Sequence, residues 1–162
     1  EVMKKLLFVV DVQNDFINDD TKSLLHKISN LIDSNKFDKI AFTRFINCNK
    51  SRFFKDLHYK RCLTKKGTAI AIDTKDYKIF NKTTYTALTK ELRKYLKKEK
   101  IDQIYLCGLD TNACILETAL DLFEQDYDFY ILKDYCMSSS SKKLHNNAIN
   151  NLKVLVGDKR IV

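Results

Sequence analysis

The stretch GLDTNACILETALDLF, residues 108–123, decides how the rest of the chain is read. It follows the apolar run Ile104, Tyr105, Leu106, Cys107 and opens on one of the chain's three glycines. A short unalternated apolar run reads as a strand buried on both faces. Leu116, Ala119, Leu120 and Phe123 then recur at the spacing of one helix face. A strand that turns at Gly108 into a helix, with Thr111 or Asn112 as cap, puts Cys114 in the first helical turn. Backbone N–H groups there have no intrahelical partner, and the helix dipole favours negative charge. A thiol so placed is expected to shift toward thiolate, the nucleophilic form. The same N–H groups suit an oxyanion. The bland alternative is a buried, inert cysteine, which is what Cys107, inside the strand, is expected to be.

The strand-then-helix unit recurs along the chain. Apolar runs at 6–10, 39–42, 101–106, 129–132 and 153–156 read as strands. Leu24, Leu25, Ile28, Leu31 and Ile32 share one helix face, and Leu88, Leu92, Tyr95 and Leu96 share another. A further helix is predicted near 142–152, with Ser140 or Ser141 as N-cap. Residues 45–80 break the pattern, with 69–72 and 77–80 as short strands inside a long excursion of the kind that often serves function. Alternating strands and helices imply right-handed crossovers and a mostly parallel sheet covered on both faces. The expected fold is therefore α/β, a Rossmann-like three-layer sandwich, and residues 1–162 are expected to form one domain. With no proline, repeat or low-complexity linker, nothing in the sequence marks a boundary.

Composition narrows the partners. The net charge of +8 comes mainly from lysine, while the five arginines are scattered at 44, 52, 61, 93 and 160. Arginine is the residue that reads bases and phosphates through paired hydrogen bonds, so nucleic acid is not an expected partner. Lys94, Lys97, Lys98 and Lys100 close a predicted helix, where cations complement its dipole. The apolar run 6–10 is far short of the roughly 20 residues that cross a bilayer, so no membrane association is expected. Lys4 and Lys5 precede too short a run for an export signal, which makes a cytoplasmic location the expectation. The five cysteines show no C-x-x-C pair and are expected to be free thiols.

In open parallel sheets ligands bind at the carboxyl ends of the strands. The first strand ends in VVDVQNDFI, which puts Asp11 at its tip, partly desolvated as active-site bases are, although by itself it reads first as a cap of the turn. Gln13 and Asp15 read as loop-closing residues. The second strand ends in Thr43 and Arg44, and Arg44 suits either a substrate carboxylate or an acid on the loop. Lys82 precedes a predicted helix capped by Thr83 or Thr84; by itself it reads as a solvated lysine, and if it points inward a carboxylate must offset the unfavourable helix start. A thiol, an acid to take its proton and a cation to hold both make up the arrangement of covalent catalysis. Phe16, Phe45 and Tyr85 are candidate pocket walls, with ordinary core packing as the alternative for Phe16 and Phe45.

These residues resemble the isochorismatase-like cysteine hydrolases, a family that includes nicotinamidases and N-carbamoylsarcosine amidohydrolases. The resemblance covers nearly the whole chain and rests on DVQNDF (11–16), NKTTYTAL (81–88), GLDTNACILETA (108–119) and LKDYCMSS (132–139). It implies that Asp11, Lys82 and Cys114 form a catalytic triad and that the Leu109–Asp110 peptide is cis. It also implies an oxyanion hole built from the backbone N–H groups of Asp110 and Cys114. Family nicotinamidases carry a metal through an Asp-x-His after the second strand; here that stretch reads FTRFINCNKS, without histidine. No metal or other cofactor is therefore expected, and His58 with Cys48 or Cys62 is too sparse a set to hold one. Isochorismatases that cleave a vinyl ether lack the cysteine, so Cys114 points to the amidase-type branch. The implied activity is hydrolysis of a small amide or related acyl compound, at a C–N bond other than a peptide bond, through a thioester. The implied assembly is a homo-oligomer, a dimer or tetramer. Two other classes stand against this: a non-enzymatic small-molecule or nucleotide binder on the same sheet, and a thiol redox sensor using Cys114. The first lacks a Gly-rich phosphate loop after the first strand.

Overall fold

The computed structural model describes residues 2–162 and contains a five-stranded sheet. Its logic starts in β1 (Lys5–Val10), where every residue from Leu6 to Val10 is fully buried. Leu6, Phe8 and Val10 pack on one face of the sheet, while Leu7 and Val9 pack on the other. A strand apolar at every position needs cover on both sides, and that requirement makes the molecule three layers thick.

The sheet is completed by β2 (Lys39–Phe45), β3 (Lys78–Lys82), β4 (Gln103–Leu109) and β5 (Phe129–Met137). The strands lie in the order β3-β2-β1-β4-β5 and all pair parallel. One face is covered by α1 (Ser23–Asp33) through Leu24, Ile28, Leu31 and Ile32. The excursion after β2 holds two short helices, α2 (Arg52–Leu57) and α3 (Lys65–Thr68), capped by the Ser51 and Thr64 hydroxyls. The other face is covered by α4 (Lys90–Lys98), α5 (Leu116–Glu124) and α6 (Lys142–Val156). Helices change face because the chain first steps outward from β1 to β3, then crosses to β4 on the far side; right-handed crossovers in opposite directions lie on opposite faces. The reversal leaves a crevice beside β1 at the carboxyl ends of the strands.

Four local expectations need correction. Residues 153–156 are not a strand but the last turn of α6: Leu152 and Val156, four apart, are buried while Val154 and Leu155 are exposed. Residues 69–72 form no strand, only an isolated bridge between Ile70 and Gln13, whereas 77–80 belongs to β3. The helix expected at Thr83 or Thr84 begins at Lys90, with the Thr89 hydroxyl accepting from the Leu92 N–H, so Lys82 ends a strand instead. The buried face of α5 runs through Ile115, Thr118, Ala119 and Leu122, one step out of phase with the expected one, and Phe123 is exposed. Thr118, a polar residue in the core, disguised that phase. The helix at 142–152 is α6, capped by the Ser141 hydroxyl on the Leu144 N–H. No helix among the described residues is long and apolar enough to cross a membrane.

Candidate active site

Three strand ends build the site. Beyond β1 the backbone of Asp11 turns left-handed, with φ at 50°, a conformation uncommon for a side chain other than glycine. Thr43 on β2 secures that turn: its Oγ1 accepts from the Asp11 N–H at 3.1 Å and donates to Asp11 Oδ1 at 2.7 Å. The other carboxylate oxygen, Oδ2, faces Lys82 Nζ at 2.8 Å, and both side chains are essentially inaccessible to water. Lys82 also donates to the Thr84 and Tyr85 carbonyls, at 2.6 and 3.1 Å, and to Cys114 Sγ at 3.4 Å. Asp11, Lys82 and Cys114, distant from one another in sequence, therefore meet around the Lys82 ammonium.

Cys114 arrives there through β4 and the turn after it. Gly108 lies opposite Val10 in the register, with φ at 123°, and a Cβ on it would collide with the Val10 carbonyl. The Leu109–Asp110 peptide is cis. A π-helical turn, Thr111–Ile115, carries the thiol and runs directly into α5. Its cap is Asp110, not Thr111 or Asn112, and it uses no side-chain bond to the turn. The Asp110 carbonyl instead accepts from the Ala113 and Ile115 N–H groups. The Asp110 carboxylate is gripped by Ser139, whose N–H and Oγ each donate to one oxygen at 2.8 Å.

The electrostatics differ from the expectation for a thiol at a helix start. Burial, and after it the Asp11 charge, push the Cys114 thiol well above its ordinary range, and the Lys82 charge offsets only part of this. For Lys82, burial favours the neutral amine, but Asp11 and then Cys114 more than offset it and hold the ammonium above its ordinary range. These directions favour the protonated thiol beside the Lys82 ammonium, which in turn faces Asp11. Cys107, fully buried in β4, is pushed well above the ordinary thiol range by burial, as an inert cysteine should be.

Cys114 opens into a cavity of about 650 Å³, while Asp11 and Lys82 lie beneath its floor. Phe16, Phe45 and Tyr85 line it, together with the Asp110 of the turn. Arg44 does not: residues alternate along β2, so Thr43 and Phe45 turn to the site, and Arg44 Nε donates to Asn81 Oδ1 at 2.9 Å. The excursion adds residues that sequence reasoning missed, Phe53, Tyr59 and Arg61, and the turn adds Asn112. Nothing in the periodicity of 45–80 distinguished them. Gln13 ties the excursion down, its amide bonding the Phe45 backbone and the Thr68 carbonyl at 2.8 Å each. Asp15 accepts from the Cys62 N–H at 2.6 Å.

Comparison with known proteins matches residues 5–159 to the isochorismatase domain. Isochorismatase domain-containing protein 2 of Xenopus laevis is 41% identical over 66 residues, which is 40% of this chain and only 32% of that protein. Isochorismatase family protein 2A of Dictyostelium discoideum is 28% identical over 141 residues, 85% of this chain and 68% of that protein. Among solved structures, the pyrazinamidase of Pyrococcus horikoshii in complex with zinc superposes with a TM-score of 0.86 at 22% identity, over 98% of both chains. The residues here do not suit such a metal: among those described, no three His, Cys, Asp or Glu side chains cluster as ligands would. A match that runs from the first strand through the closing turn of the fold settles the kinship: the chain belongs to the isochorismatase domain family.

Proposed function

We propose that the protein is a cysteine-dependent hydrolase of a small amide or related acyl compound, acting at a C–N bond other than a peptide bond. The observation that carries this reading is Lys82 Nζ lying 2.8 Å from Asp11 Oδ2 and 3.4 Å from Cys114 Sγ at the floor of a cavity. Family membership supports hydrolysis, and the pyrazinamidase likeness in fold favours an amide.

In the proposed cycle, Asp11 takes the Cys114 proton as sulfur attacks the substrate carbonyl. The backbone N–H groups of Asp110 and Cys114 hold the oxyanion of the tetrahedral intermediate. Its collapse breaks the C–N bond, and Asp11 returns the proton to the leaving nitrogen. Water, giving its proton to Asp11, then attacks the thioester, and the acid and the free thiol are released. Lys82 stays charged throughout and keeps carboxylate and sulfur in register.

A screen of small amides, ureides and lactams scored by ammonia release identifies a substrate. Cys114→Ala is then expected to reduce turnover by about 10³-fold or more with an unchanged melting temperature. Turnover that survives this substitution in folded protein overturns the reading and leaves Cys114 as a binding or redox residue.

A further inference from the structure

We propose that the substrate carries a carboxylate and that Arg61 holds it while the scissile amide lies over Cys114. This rests on the hydrolase reading and narrows it to a substrate class.

Arg61 lines the same cavity as Cys114. Its guanidinium lies 5.7 Å from the Phe16 ring centre and 5.9 Å from that of Tyr59, and its Nη1 donates to Ser139 Oγ at 2.5 Å. Aromatic contacts and a hydroxyl fix the fork but do not neutralise it. The acids nearby are otherwise engaged. Asp110 has both oxygens bonded to Ser139 and makes no direct ion pair with Arg61, although it feels the guanidinium charge, while Asp15 is bonded to the Cys62 N–H. Among the described residues no carboxylate pairs directly with Arg61. A guanidinium has five donors in a planar fork. Ser139 draws on one, which leaves donors for a planar anion.

A second observation fits the other end of the same molecule. Asn112 Oδ1 is buried, has no hydrogen-bond partner, and belongs to a residue that lines the cavity two positions before Cys114. A buried acceptor left empty costs about 1–3 kcal/mol, which the N–H of a substrate amide would recover once the Asn112 side chain turns into the cavity. Phe53 packs edge-on against Phe45 and Tyr85, at 5.0 and 4.9 Å, and walls the space between these two polar ends. A short acid bearing a primary amide satisfies all three elements.

Two readouts test this in the whole protein. The first is the ratio of Cys114 alkylation rates by iodoacetate and iodoacetamide, which differ in charge and hardly in size and need no turnover. The ratio is expected to fall about tenfold in Arg61→Met, with Arg61→Lys retaining most of it. An unchanged ratio in folded Arg61→Met overturns the proposal. The second is ammonia release from succinamic acid against butyramide: wild type is expected to prefer the anion by about tenfold or more in kcat/KM, and Arg61→Met to lose that preference. Equal turnover of the two overturns the proposal, while the hydrolase reading stands. If neither amide nor any in the wider screen is cleaved, the hydrolase reading falls, and the alkylation ratio still decides whether Arg61 binds anions.

Discussion

Lys82 sits between an acid and a thiol with no part of its side chain open to water, and each contact carries a measurable consequence. Lys82→Met would leave the Asp11 charge buried without its partner, a loss expected to cost about 3–5 kcal/mol in urea unfolding. Because Asp11 and Cys114 outweigh burial and raise the Lys82 pKa, the fold binds this proton more tightly than the unfolded chain does. Its stabilisation is complete below the ordinary lysine range and is lost as pH rises through the higher value in the fold. The raised Cys114 thiol contributes with the same sign. Wild type should therefore lose stability at alkaline pH, and Lys82→Met should show a shallower alkaline limb; equal limbs would mean Lys82 is not coupled to Asp11. Asp11→Asn separates charge from chemistry. It removes a charge that opposes the thiolate, so Cys114 alkylation should set in at lower pH, while turnover falls about 10²–10⁴-fold for want of a base. An alkylation profile that does not move would show that carboxylate and thiol do not communicate. At this scale the sequence was partly legible. Taken singly, Asp11 reads as a turn cap, Cys114 as an inert cysteine and Lys82 as any lysine in a lysine-rich chain; their shared sheet edge and the family motifs joined them. Arg61 had no such mark, because its role depends on which rings and hydroxyls fold beside it.

Between residues and fold, the segment 83–89 decides whether Lys82 is held. Its Thr84 and Tyr85 carbonyls accept from the ammonium, and the segment is anchored by the Ala87 N–H donating to Thr118 Oγ1 at 2.9 Å. Thr118 is fully buried in α5, on the same helix that leads back to the Cys114 turn. Thr118→Val keeps the shape but orphans that N–H, at about 1–3 kcal/mol. The expected kinetic result is a fall in kcat larger than any change in KM, since the Ala87 anchor acts on the carbonyls that hold Lys82 and Tyr85 alone of this segment lines the cavity. A change confined to KM would show that the segment acts on substrate instead. Helix phases and caps were readable where apolar spacing was complete, as in α1 and at Ser141 of α6. They failed where a core position is polar, as at Thr118, or where a helix end is apolar all round, as at 153–156, whose run of Val, Leu and Val is shared by strands and buried helices.

For the whole molecule, the outer sides of α5 and α6 leave apolar surface uncovered: Val154 is 83% exposed, and Phe123 and Leu155 also face outward. Association through such surface would bury it, and a dimer or tetramer is the expected mass by light scattering. A monomer at micromolar concentration would contradict this. The strand alternation and the doubly apolar β1 are local facts, so the amino-acid sequence by itself determined the layered parallel architecture and the residue types able to do thiol chemistry. Only the tertiary structure decided which of them meet. The order β3-β2-β1-β4-β5 brings the ends of β1, β3 and β4 to one crevice, and pleating sends Phe45 to the cavity and Arg44 away. The excursion then brings Arg61 to the wall of the cavity that Cys114 lines. The physical reason is range: periodicity and capping act over a few residues and are written in the chain, whereas burial, register and charge pairing depend on neighbours that sequence distance does not specify.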